Sequence, residues 1–129
     1  MPNTPSVMGL HLSYRLWIAE MNSDISVLRI FDDYLKELGS KRNEEEAKNK
    51  IEDFQKQFTD RRKEIDELRD EMQIMKMKLG ALSRENRPLD KAAYDADNHK
   101  ELKEKYLSFR KTFDKMKDEF ISFGSKWLQ

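Results

Sequence analysis

Between Ala47 and Leu82 the chain places Ala47, Ile51, Phe54, Phe58, Arg61, Ile65, Leu68, Met72, Met75, Leu79 and Leu82 at alternating steps of four and three, and Arg61 is the one polar member. A seven-residue repeat averages 3.5 residues per turn, slightly fewer than a straight α-helix. Its apolar face stays on a neighbour only if the helices wind left-handedly about one another. The pattern therefore predicts a long helix over residues 44–84, about 60 Å at 1.5 Å per residue. Such a helix needs partners along its whole length.

Two flanking segments supply them. Leu10, Tyr14, Trp17, Met21, Leu28, Phe31, Leu35 and Leu38 repeat at helical spacing, with Asp24 the one break, and predict a helix over 9–38. Gly39 follows where a left-handed residue closes a helix, and Asn43 with Glu46 forms a capping-box pattern for the next one. The third seam is mostly aromatic: Leu102, Tyr106, Phe109, Phe113, Met116, Phe120, Phe123 and Trp127 predict a helix over 98–128, with Asn98 and Glu101 as its capping box. Between them, 85–97 contains Pro88, which cannot continue a helix, and reads as a loop. The expectation is one all-α domain over 1–129, an elongated antiparallel three-helix bundle with left-handed coiled-coil packing.

Register follows from the turn. A turn at Gly39 to Arg42 makes facing residues of the first two helices sum to 82–86, which sets Met21 and Asp24 beside Arg61. For the second pair a sum of 181 matches Leu68 with Phe113 and Arg61 with Phe120. Asp24 and Arg61 are the charged residues inside otherwise apolar seams. They read as a structural salt bridge that fixes register, with a half-open anion site as the functional alternative.

Composition excludes several classes of function. Lys plus Arg and Asp plus Glu number 25 each, so there is no basic stripe of the kind nucleic acid requires. The chain has no Cys, hence no disulfide framework or thiolate site. Met1 to Met8 lacks the basic start and apolar run of a signal peptide, and no segment reaches the ~20 apolar residues that span a bilayer. A cytoplasmic location without membrane or nucleic-acid partners is the expectation. No Gly-rich phosphate loop, G-x-S-x-G elbow or H-E-x-x-H helix occurs, and no enzymatic activity or cofactor is expected. A dimetal bundle needs paired Glu-x-x-His motifs, which are absent. His11, Glu20 and His99 are the residues left to a metal-binding reading.

Leu16-Trp17-Ile18-Ala19-Glu20-Met21, followed by a long heptad helix and a third ending at Trp127-Leu128, resembles a spectrin-type repeat. That resemblance implies a left-handed three-helix bundle with a tryptophan early in its first helix. The middle helix is longer than in that family and the repeat is single, so a cytoskeletal role is not implied. The stretch IEDFQKQFTDRRKEIDEL, Ile51 to Leu68, is also similar to small bacterial helical proteins of about this size, some of them richer in His. It implies no particular activity.

The remaining signal is apolar surplus. Val27, Ile30 and Tyr34 in the first helix, and Ile74 and Met77 in the second, lie off the main seams and form a candidate interface. The middle helix also looks longer than its neighbours can cover, leaving apolar surface near one end. The expectation is a non-enzymatic protein–protein interaction or scaffold bundle, self-associating as a homodimer or docking a helical partner. The alternative is a metal- or ligand-binding bundle.

Overall fold

The structure, a computed structural model, describes residues 7–84 and 96–128, with side chains for 7–81 and 98–128. It contains three helices, α1 (Val7–Lys41), α2 (Glu45–Arg84) and α3 (Ala96–Trp127). The described residues outside them are Arg42, Asn43, Glu44 and Leu128. The all-α three-helix bundle is thus the observed architecture. The loop expected over 85–97 lies outside the described residues, except that Ala96 and Asp97 already belong to α3.

Each seam is buried because the bundle gives it two neighbours to face. Ile51, Phe54, Phe58, Ile65, Leu68, Met72, Met75 and Leu79 of α2 join Tyr106, Phe109, Phe113, Met116, Phe120 and Phe123 of α3 in one core. The α2 seam is covered as far as Leu79, and Leu82, its next member, lies outside the side chains described; Ile74 and Met77 near that end are exposed. α1 contributes its seam plus a second column, Ile18 and Ile25. Ile25 lines the groove shared with Phe58 and Arg62 of α2, whereas Asp24 is bound to α3. Adjacent positions of α1 therefore serve different neighbours.

α1 and α3 run parallel at a constant offset. Tyr14 meets His99, Glu20 meets Tyr106, Asp24 meets Arg110 and Arg42 meets Trp127, at separations of 85 or 86 residues. Their backbones stay farther apart than those of α1 and α2, and large side chains fill the space: the rings of Phe31 and Phe120 lie 4.5 Å apart, those of Trp17 and Tyr106 5.3 Å.

The antiparallel registers differ from those expected. Asn22 bonds Arg69, and Phe31 packs on Phe58, pairs whose numbers sum to about 90. Phe58 with Phe120 and Glu71 with Lys105 give about 177 in place of 181. For the first pair the physical reason is side-chain direction. Every Cα–Cβ bond leans toward its own helix N-terminus, away from the turn on α1 and toward it on α2, so an α1 side chain meets an α2 residue lying farther from the turn than backbone level implies.

Helix ends also differ. α1 continues through Gly39 to Lys41, and the Arg42 amide donates to the Leu38 carbonyl at 2.8 Å, so Gly39 lies inside the helix. At the start of α2 the Asn43 amide donates to the Glu44 carboxylate, while Glu46 reaches Lys126 of α3; the expected Asn43–Glu46 box is not formed. α3 begins two residues before Asn98, and Glu101 pairs with Lys105. The turn end is closed by Arg42, whose Nε and Nη2 donate to the Trp127 carbonyl at 3.2 and 3.0 Å with its guanidinium over the Trp127 ring. A cation on terminal carbonyls answers both their unmet acceptors and the helix dipole.

Candidate functional site

Asp24 is the buried charged residue of the described core, and burial of a carboxylate demands a partner. That partner is Arg110, not Arg61. Arg110 Nη1 and Nη2 donate to Asp24 Oδ1 and Oδ2 at 3.1 and 2.5 Å, a two-pronged pair whose planar geometry suits guanidinium and carboxylate. Arg61 turns along its own helix instead, its Nη2 2.5 Å from Glu64 Oε1. The pairing expected from sequence fails because Asp24 sits on the α3 side of α1, and position 25 is the one that faces α2.

Around this pair the structure gathers seam aromatics of α3 together with Glu20 and Asp114, which the seams did not mark. Tyr106 Oη donates to Glu20 Oε1 and receives a bond from Arg110 Nη2 at 3.3 Å. Glu20 Oε1 also lies 2.8 Å from Arg110 Nε but off its N–H axis. Nε therefore has a charged neighbour without a hydrogen bond. Asp114 approaches Nη1 at 3.5 Å. The guanidinium lies over Tyr106, Phe109 and Phe113 at 5.5–5.6 Å, a cation–π setting that favours its charge.

The electrostatics follow from this packing. Burial pushes the Tyr106 phenol well above its ordinary range, and donation to Glu20 adds to it, so this tyrosine stays protonated. Burial works against the Arg110 charge, but the bonds it donates to Asp24 and Tyr106 more than offset it and raise its pKa. The cluster ties α1 to α3 through Asp24, Glu20, Tyr106 and Arg110.

About two turns before Tyr106 along α3 lies His99, half-buried, with Nδ1 2.6 Å from Tyr14 Oη. The Trp17 ring stacks between His99 and Tyr106. Desolvation, followed by the nearby Lys103 charge, lowers the His99 pKa. Glu20 is engaged by Tyr106 and Arg110, His11 is half-buried, and no group of three or more His, Asp or Glu able to hold a metal occurs among the described residues. His11, Glu20 and His99 are not assembled into a ligand set.

The candidate interface residues divide. Ile30, Tyr34, Ile74 and Met77 are exposed, but Val27 is half-buried against the core. Exposed apolar residues also occur at Met8, Leu12 and Leu16, on the outer side of α1. The described helices include none long and apolar enough to cross a membrane. No family model, curated protein or solved structure matches the chain.

Proposed function

We propose that this chain is a cytoplasmic, non-enzymatic interaction bundle whose work is done by outer helix faces rather than by an internal site. The observation that carries this reading is the set of large apolar side chains left on α1 outside the core: Met8, Leu12, Leu16, Ile30 and Tyr34. Isolated exposed leucines need no explanation, but apolar residues aligned along one helix face are what helix-to-helix docking uses. The buried polar cluster supports the same division of labour, since its groups are consumed in holding α1 to α3.

The test is complex formation in cells producing the chain at native levels. The wild-type chain should be crosslinked into species larger than itself, and Leu16→Glu with Ile30→Glu, both surface changes, should abolish them. A wild-type chain that remains at its own mass throughout would sink the reading.

A further inference from the structure

The outer face of α1 carries a second stripe that the core uses only in part, at Val27. Leu12, Leu16, Ala19, Ser23, Val27, Ile30 and Tyr34 follow one another at steps of four, three, four, four, three and four. None is charged. All are exposed except Val27, which is half-buried. The pattern has an eleven-residue repeat, 3.67 residues per turn, so it stays close to one face of a nearly straight helix, unlike the seven-residue seam that drifts around it. It spans about 33 Å of helix at 1.5 Å per residue.

The stripe is also a palindrome about Ser23. Reversed end for end, Leu12 takes the place of Tyr34, Leu16 that of Ile30 and Ala19 that of Val27, while Ser23 falls on itself. A two-fold interface between identical chains has this property, because each patch must complement its own reversed copy. Small residues at the centre allow two helix axes to approach there, and the bulky pairs lie on either side.

Charge and area fit the same occupant. Arg15 and Asp33 border the stripe on its α2 side, and neither side chain makes a hydrogen bond or ion pair among the described residues. Antiparallel pairing about Ser23 brings Arg15 of one copy near the partner's Asp33. Arg29 stands farther back, lining the groove with Arg62 and Asp66 of α2. Leu12, Leu16, Ile30 and Tyr34 are 56, 60, 53 and 47% exposed. With the exposed Ala19 and Ser23 they present on the order of 500 Å² per copy, so two copies would bury on the order of 1,000 Å², the lower bound for a specific interface.

We infer that the outer face of α1 is a homodimer interface, in which two copies pack α1 antiparallel with Ser23 on the two-fold axis. This rests on the interaction reading above and names its partner as a second copy of this chain. The test uses the full-length purified chain, whose lack of cysteine makes engineered thiols unambiguous. Ser23→Cys should give a disulfide-linked dimer on mild oxidation. Leu12→Cys alone should not, but an equimolar mixture of Leu12→Cys and Tyr34→Cys should give the mixed dimer.

Sedimentation of the unmodified chain should report a dimer, and Leu16→Glu with Ile30→Glu should raise its dissociation constant by about a hundredfold or more. A wild-type chain that sediments as a monomer throughout, or a Leu12→Cys chain that links to itself more readily than to Tyr34→Cys, overturns the inference. If the purified chain is monomeric yet still enters larger complexes in cells, the dimer fails and the broader interaction reading stands.

Discussion

Asp24 shows how much one residue can fix. Its side chain is 8% exposed and that of Arg110 is 19% exposed, so truncating the acid leaves a largely desolvated cation without its counterion. Asp24→Ala should cost about 2–4 kcal/mol in urea unfolding, somewhat less than full burial would give. Combining it with Arg110→Met should recover part of that loss, because the orphaned charge is removed as well. Arg61→Met, which keeps the stem of a side chain that is 16% exposed, should stay within about 1 kcal/mol, since it removes only a same-helix pair with the partly solvated Glu64. An Arg61 change that equals the Asp24 change would restore the pairing expected from sequence and refute the one observed.

His99 gives the residue-scale pH dependence. Its folded pKa lies below the ordinary 6.5, so the unfolded chain takes up a proton more readily. The sign follows from linkage. Its contribution is intact above pH 6.5, erodes as pH falls below that value, and is gone below the folded pKa. His99→Gln keeps an acceptor for Tyr14 and removes the titration, so the melting temperature should fall less on acidification than in the wild type. Parallel acid profiles for the two chains would remove His99 as the cause. Among the described residues, Tyr14, Trp17 and Lys103 face it.

At the scale of the element, the seams were legible and the ends were not. Four–three spacing identifies every buried hydrophobic side chain of α2 and α3 among the described residues, because burial of one helix stripe is a local property of sequence. Register is a property of two helices, and a turn position alone omits the lean of the side chains. The Asp24 partner was missed for a related reason: a seam position can face either neighbour. The signal that could have found Arg110 is the constant offset of parallel α1 and α3, which sets Arg110 opposite Asp24 and Tyr106 opposite Glu20.

Gly39 offers a decisive test of one element end. A glycine closing a helix in left-handed geometry loses stability on becoming alanine, whereas one inside a helix gains it. Here Gly39 lies within α1, and a Cβ added to it meets nothing within 4 Å. Gly39→Ala should stabilise the chain by about 0.5–1 kcal/mol. A lowered unfolding midpoint would place the end of α1 at Leu38.

At the scale of the whole molecule, the question is whether three long helices unfold as one unit. α1 and α2 are joined by three residues and approach closely, which by itself would make a hairpin that α3 merely covers. The aromatic layer near the turn end argues otherwise. Phe31 of α1, Phe54 and Phe58 of α2, and Phe120 and Phe123 of α3 share one cluster, and Phe120 touches Phe31, Phe54, Phe58 and Phe123. Such a ring belongs to no single helix pair.

Phe120→Ala, at a site 3% exposed, should therefore cost about 3–5 kcal/mol through lost transfer energy and the cavity left behind. Because every helix contributes to that cavity wall, native-state hydrogen exchange should quicken in the most protected amides of α1, α2 and α3 together, with one unfolding transition and an unchanged denaturant slope. Loss of protection confined to α3 would mean that α1 and α2 stand as a separate cooperative unit. The constant α1–α3 offset would then be a consequence of docking rather than a condition of the fold.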